Sequence, residues 1–193
     1  MKIYNTMTRR KEEFLPMEEG KVKMYSCGIT VSGNAHIGHL FQALIYDLVR
    51  KVLEKNGYQV KYARNYTDID DKIIAKANEL KVDANEYALK MIKKIDEEMA
   101  YFQVDEPTMW LKATENVDNI IQFVSKLIDK GYAYRTEDGT VYFRTHKFED
   151  YGKLSHKNID DLEAGHRNIN VTGEQKEDYL DFVLWKPKKE GEP

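Results

Sequence analysis

Apolar and polar positions change their period several times along the chain. Residues 22–27 alternate, with Val22, Met24 and Ser26 on one side and Lys23 and Tyr25 on the other. That period of two predicts a short strand running into Gly28. Residues 28–35 include Gly28, Ser32, Gly33 and Asn34, which suit a turn or a close backbone approach and predict a loop. From His36 the period becomes helical. Leu40, Leu44, Leu48 and Val52 recur every four residues until Asn56-Gly57 supplies a stop. Residues 58–65 alternate again, with Tyr58, Val60, Tyr62 and Arg64 on one face of a second strand. A further helix start is expected at 67–71, with Asp68 as its cap and Asp71 in a capping-box position ahead of Ile73, Ile74 and Ala77. Strand, loop, helix and strand within about 45 residues make a βαβ unit, whose two strands belong to one parallel sheet.

The middle of the chain reads as helical. Tyr87, Met91, Ile95, Met99 and Phe102 form one stripe, and Val117, Ile120, Ile121, Val124, Leu127 and Ile128 form another that stops at Gly131. Both are expected to be core contacts. Residues 132–134 and 140–144 flank Asp138-Gly139 and predict a hairpin. Residues 145–193 are polar and loop-rich, with one aromatic cluster at 179–185, and residues 1–20 show only turn signals around Pro16 and Gly20. There is no internal repeat and no low-complexity tract.

Composition narrows the class. The 193 residues suit one domain, or one small domain with an insertion. With 41% hydrophobic and 33% charged residues, the chain is of soluble globular type and can build a core. One cysteine excludes an internal disulfide and any Cys–Cys zinc ribbon. A net charge of −3 argues against a charge-driven nucleic-acid binder. No apolar run is long enough to span a membrane. The mixed-charge start, MKIYNTMTRRKEEF, lacks an apolar signal core, so the expected location is cytoplasmic.

The densest chemistry lies in CGITVSGNAHIGH, Cys27 to His39. A strand ends there, a small-residue loop turns, and a helix begins with exposed N–H groups, which is the physics of an anion site. His36 and His39, at i and i+3, share one face of the first turn and can donate to phosphate oxygens. Gly38 between them would let a flat base lie close to the backbone. A plain helix start with two solvated histidines fits the same letters. By composition, Cys27 reads as a buried free thiol. Asp68, Asp70 and Asp71 read as capping residues rather than magnesium ligands. His146, His156 and His166 read as solvated. Tyr132, Tyr134, Tyr142 and Phe143 are either a stacking surface for RNA or the small core of the hairpin.

His36-Ile37-Gly38-His39 spells HIGH, the signature of class I aminoacyl-tRNA synthetases. IYNTMTRRKEEF, MYSCGITV, NYTDIDDKI, YGKLS at 151–155 and DFVLWKPKKEGEP extend the likeness in order along the chain. Together they resemble the cysteinyl-tRNA synthetase family. The resemblance implies an α/β fold: the first half of a Rossmann-like parallel sheet at 1–108, followed by part of an α+β connective insertion at 109–193. It implies that His36 and His39 contact ATP phosphates and stabilise the pentavalent α-phosphorus during attack by cysteine's carboxylate. It makes Cys27 one of four zinc ligands, the metal in turn binding the substrate thiolate. A thiolate is a far better zinc ligand than a hydroxyl, so such a metal rejects serine. Gly28 and Thr30 would line the amino-acid and nucleotide pocket with Gly38, and Thr67 would sit near the bound amino acid.

Two stretches differ from the family's usual letters: Val31-Ser32-Gly33-Asn34-Ala35 before the motif and Leu40-Phe41-Gln42 after it. The residues through Pro193 also leave out the other three zinc ligands, the KMSKS-type lysine loop and the anticodon-binding region that the family carries. The expected function is that of an N-terminal part of a cysteinyl-tRNA synthetase, inactive alone. The complete enzyme would use cysteine, ATP with Mg2+, Zn2+ and tRNA(Cys). Such a chain is expected as a monomer or paired with the missing C-terminal half. The alternatives are a short paralogue that activates an amino acid together with a second polypeptide, and a non-catalytic nucleotide- or RNA-binding module.

Overall fold

The computed structural model describes residues 1–157 and 176–188. In chain order the elements are β1 (Lys2–Asn5), β2 (Arg10–Glu13), β3 (Lys21–Thr30), α1 (Ile37–Lys55), β4 (Gln59–Thr67), α2 (Asp71–Leu80), α3 (Ala84–Tyr101), β5 (Met109–Lys112), α4 (Val117–Asp129), β6 (Ala133–Arg135), β7 (Val141–Phe143) and β8 (Phe182–Trp185). They fall into two compact units, Pro16–Val117 and the pair of segments Met1–Leu15 with Asp118–Lys189.

The unit of Pro16–Val117 holds a parallel sheet in the order β3-β4-β5. The βαβ unit of β3, α1 and β4 is present as the alternating pattern predicts, with both strands longer than the pattern alone marks. Val22, Ser26 and Ile29 of β3 are buried, as are Tyr62, Arg64 and Tyr66 of β4. Lys23, Tyr25 and Lys61 are exposed on the opposite face. β5, just beyond residue 108, pairs with β4 from Ala63↔Met109 to Tyr66↔Lys112. Four residues after a turn carry too little alternation to announce this strand.

Helix α3 places Tyr87, Met91, Ile95 and Met99 in the core, as its stripe predicts, while Phe102 ends the helix half-exposed. Tyr66 donates its hydroxyl to Asp96 of α3 and stacks on Trp110 at 4.2 Å between centroids. Burial pushes the Asp96 carboxyl up, against the lowering effect of that hydrogen bond. The cap of α2 is Asp70, which accepts from the Lys72 amide at 2.9 Å. Asp68 does not cap. It is buried and accepts from the Thr114 amide (3.0 Å) and hydroxyl, fastening the end of β4 to the turn after β5. Asp68 continues the alternation of Tyr62, Arg64 and Tyr66 and so falls on their buried face.

Helix α1 reverses the expected amphipathicity. Its buried positions are Leu40, Ala43, Asp47, Arg50 and Leu53, while Leu44, Leu48 and Val52 of the predicted stripe are exposed. Arg50 pairs with Asp47 and donates to the Glu106 carbonyl at 2.7 Å. Asp105 joins Arg50 at 3.3 Å and Lys51 at 3.0 Å. A buried, paired charge has replaced an apolar contact, which periodicity cannot foresee.

In the other unit, β1 and β2 form an antiparallel hairpin, closed by the Met1 ammonium on Glu13 at 2.8 Å. Their mixed charges hide them from a hydrophobic reading. The sheet β6-β7-β8 is antiparallel, and its β6–β7 hairpin turns at Asp138-Gly139 as predicted. Tyr134 and Tyr142 are buried and stack at 5.7 Å, so these two belong to the hairpin core. Asp181, also buried, accepts from the Tyr134 hydroxyl (2.8 Å) and the Thr145 amide (3.0 Å). The stripe of α4 is a correction. Only Val124 is buried, and Ile120, Ile121 and Ile128 stand exposed because this small sheet's core reaches a single line of the helix.

The ion pair inside α1 makes a direct prediction. Burial raises the Asp47 carboxyl, but hydrogen bonds from Lys51 and Arg50 lower it more, and the net direction is down from 3.8. A carboxyl lowered by folding contributes stability that is complete above 3.8 and is lost as pH falls through the lowered value. Asp47→Ala removes the nearer, buried carboxylate of Arg50 and leaves only the more exposed Asp105 beside it, and is expected to cost about 3 kcal/mol in urea unfolding at neutral pH. The gap from the unsubstituted chain should shrink on acidification; a gap that stays constant would contradict the pairing.

Candidate active site

The site begins where β3 breaks its register. The parallel pairing with β4 shifts between Ser26 and Ile29, so Cys27 and Gly28 stand out of the regular ladder. The Gly28 amide donates to Asn65 Oδ1 at 2.8 Å, and the Tyr25 hydroxyl donates to the same oxygen at 2.9 Å. Asn65 Nδ2 reaches Thr67 Oγ1 at 3.3 Å. One side chain therefore holds the backbone beside Cys27 and orients Thr67. Gly28 must be glycine. A Cβ built there falls 1.6 Å from the Asn65 carbonyl oxygen. Cys27 itself is exposed, which corrects the expectation of a buried thiol: it follows Lys23 and Tyr25 on the exposed face of β3. Burial first, and then the neighbouring Cys27 thiol, push the Tyr25 hydroxyl up.

Beyond the bulge the ladder resumes with Ile29↔Tyr66 and Thr30↔Thr67. Thr30 and Thr67 thus lie side by side at the C-terminal ends of adjacent parallel strands, where open α/β sheets bind ligands. The connecting loop is anchored at both ends. Val31, fully buried, donates its amide to the Thr67 carbonyl at 3.2 Å. The Tyr87 hydroxyl donates to the Ser32 carbonyl (2.9 Å), and Lys94 Nζ donates to Asn34 Oδ1 (2.7 Å).

His36 is the N-cap of α1. Its Nδ1 accepts from the Gly38 amide at 3.1 Å, and His39 Nδ1 accepts from the His36 amide at 3.2 Å. The reciprocal bonds make a capping box of two imidazoles, stacked at 3.6 Å between centroids. A ring nitrogen that accepts an N–H carries no proton, so each imidazole is neutral with its proton on Nε2. Burial, and then the nearness of His36, lower the His39 pKa below 6.5. Both imidazoles sit at the positive end of the α1 dipole, with Nε2 the nitrogen not used in the capping box. Gly38 lies against this pair: a Cβ there would touch the His36 ring at 3.0 Å. Ala35, His36, Ile37 and Leu40 line one wall of a cavity of about 270 Å³, opposite Glu98, Met99 and Phe102.

Other candidates fall elsewhere. His146 lies 3.4 Å from Asp178, and His156 bonds the Thr6 carbonyl at 3.0 Å, so both are exposed but partnered. His166 lies outside the described residues. Asn65 and Lys94 were not legible as site residues. Asparagine in a strand is unfavourable, and that mismatch was the available signal for Asn65. Among the described residues no group of three or more His, Cys, Asp or Glu side chains could hold a metal. One thiol does not satisfy the three or four protein donors that zinc takes, so the residues here do not by themselves make a zinc site. No helix among the described residues is long and apolar enough to cross a membrane.

Comparison with known proteins places the chain in a family. Residues 13–193 match the family model described as tRNA synthetases class I (C) catalytic domain. The chain belongs to this family. It is 56% identical over its whole length to the cysteine--tRNA ligase of Lachnospira eligens, covering 42% of that protein. To the cysteine--tRNA ligase of Lachnoclostridium phytofermentans it is 52% identical, again over its whole length, covering 40%. The chain thus spans about two fifths of the length of these curated relatives. In structure it resembles the LeuRS of the Agrobacterium radiobacter K84 ternary complex with tRNA and LeuAMS. The TM-score is 0.53 at 20% identity, over 70% of this chain and 18% of that one. That likeness concerns the fold and agrees with a parallel, Rossmann-like half.

Gly28→Ala tests the geometry from which the site is built. The added methyl overlaps the Asn65 carbonyl, and overpacking against backbone that cannot yield is expected to cost about 3 kcal/mol or more. Gly33→Ala, with open space at its Cβ, serves as the control. Thermal unfolding of the two variants should separate clearly; equal melting temperatures would contradict the close approach.

Proposed function

We propose that this chain is the nucleotide- and amino-acid-binding N-terminal part of a cysteine--tRNA ligase. The observation that carries the reading is the neutral, stacked His36–His39 pair at the start of α1, with Cys27, Thr30 and Thr67 at the neighbouring strand ends. In the complete enzyme, ATP with Mg2+ and cysteine would give cysteinyl-adenylate, and tRNA(Cys) would accept the cysteinyl group. The relatives' names and the matched family support this substrate set.

Each residue then has a physical task. Both imidazoles use Nδ1 to satisfy amides of their own helix start, so the phosphate contact falls to their Nε2–H edges. Neutral donors fixed in place stabilise charge as it grows on the phosphate oxygens and need little reorganisation to do so. Gly38 keeps the approach to this edge open, since a side chain there would press on the His36 ring. Gly28 and Thr30 line the floor of the pocket, and Thr67, oriented by Asn65, faces the amino acid. Zinc would supply selective binding of the substrate thiolate. Cys27 would contribute one donor to it, and the remaining donors would come from residues outside this chain.

The reading has a direct test. Calorimetry with ATP and Mg2+ should show binding to the chain. His39→Ala should weaken that binding about 10- to 100-fold, the value of one hydrogen bond to a charged group. Circular dichroism checks that α1 survives the substitution. The isolated chain should show no cysteine-dependent ATP–pyrophosphate exchange and should not retain zinc through dialysis. Equal ATP affinity in the two proteins would refute the phosphate role of His39.

A further inference from the structure

Two neutral imidazoles leave a charge unanswered. His36 and His39 both spend Nδ1 as an acceptor, so a phosphate brought to this helix start meets dipoles but no full positive charge from them. It also meets a carboxylate, because Glu98 of α3 stands across the cavity from Ala35 and His36. A triphosphate is strongly anionic, and proteins hold such groups with Lys or Arg. Helix α3 brings a lysine to this place. One side of α3 runs along the loop that leads into α1. Tyr87 donates to the Ser32 carbonyl (2.9 Å), Lys94 Nζ donates to Asn34 Oδ1 (2.7 Å), and Glu98 lies opposite Ala35 and His36. Positions 87, 94 and 98 are spaced by seven and four residues and so share that side of the helix. The Lys94 ammonium is thus held on the residue two places before the His36 cap.

The partner of Lys94 sets it apart. Lys21, Lys51, Lys76, Lys112 and Lys153 each bond a carboxylate. Lys94 has Glu97 and Glu98 three and four residues on, yet among the described residues it pairs with no carboxylate and bonds a neutral amide instead. An amide oxygen takes one of the three ammonium N–H groups and cancels none of the charge. The other two N–H groups remain for an anion. We infer that Lys94 is a phosphate-contacting residue of this site, its ammonium steered by Asn34 toward the nucleotide that His36 and His39 receive. The inference rests on the functional reading above and adds to it the cation that the two histidines lack. The imidazoles supply donors fixed in direction. The ammonium supplies charge and, on its flexible stem, follows the phosphates. Lys94, Asn34 and both histidines lie within the compact unit Pro16–Val117, so this part of the site is contained in one unit.

Calorimetry with ATP and Mg2+ on the 193-residue chain tests this. Lys94→Met should weaken ATP binding about tenfold at low ionic strength, as expected for loss of one charge-assisted contact at an exposed position. The loss should shrink as KCl is raised, because salt screens an exposed charge. Lys94→Arg keeps the charge and should keep most of the affinity. Lys93→Met removes an exposed charge one residue away and should change little. Asn34→Ala separates the charge from the tether: it frees the ammonium without removing it, and should cost less than Lys94→Met. All these positions are exposed, and circular dichroism checks that the fold is retained. Equal ATP affinity in Lys94→Met and the unsubstituted chain, a loss indifferent to salt, the same loss in Lys93→Met, or a loss in Asn34→Ala as large as that in Lys94→Met would each overturn the inference. Binding that depends on Lys94 but not on His39 would count against the phosphate role of His39 and leave that of Lys94 standing. A chain that binds no ATP would overturn both.

Discussion

Where Gly28 passes Asn65, the backbones of β3 and β4 come so close that no side chain fits between them. That contact organises the rest of the site. It throws Cys27 out of the ladder, brings the Gly28 amide onto the Asn65 side chain, and lets pairing resume one step on with Thr30 beside Thr67. The anchored loop that follows delivers the chain to His36 in an extended conformation, which is what an N-cap requires. A change of a single methyl group at residue 28 therefore acts on the position of every candidate residue downstream.

The start of α1 solves two problems with the same two side chains. A helix N-terminus leaves amides without partners, and most helices satisfy them with Ser, Thr, Asp or Asn. Here the imidazoles do so, and in doing so they fix their own tautomer and orientation. The arrangement keeps negative charge out of the cap. A carboxylate cap would repel a phosphate, whereas a neutral imidazole presents a donor to it. Burial and the nearness of His36 lower the His39 pKa, which favours the unprotonated Nδ1 that accepts the His36 amide.

Local periodicity revealed the βαβ unit, the inner stripe of α3 and the β6–β7 hairpin, because in each the pattern of burial is set by side chains within the element. It failed where partners far along the chain decide. Asp47 and Arg50 look like surface residues until Asp105 and Glu106 arrive beside them, and the leucines of α1 look like core until those charges take the inner side. Asp68 looks like a cap until Thr114 claims it. The strands β1 and β2 are charged, and β5 is too short to show a period. Of the site, the histidines, Gly28 and Cys27 were legible as letters. Asn65, which holds two of the neighbouring groups in place, was not, because its role is visible only across the strand pair.

The central claim is that the Nε2 edges of His36 and His39 receive phosphate. Imidazole nitrogen NMR tests it most directly, with ATP and Mg2+ titrated into the labelled chain. The account predicts that, without nucleotide, both residues show the neutral form protonated at Nε2. On titration, the Nε2 signals of both should move together and saturate, while His146 and His156 stay still. Nε2 signals that do not move, or that move no more than those of His146 and His156, would contradict it.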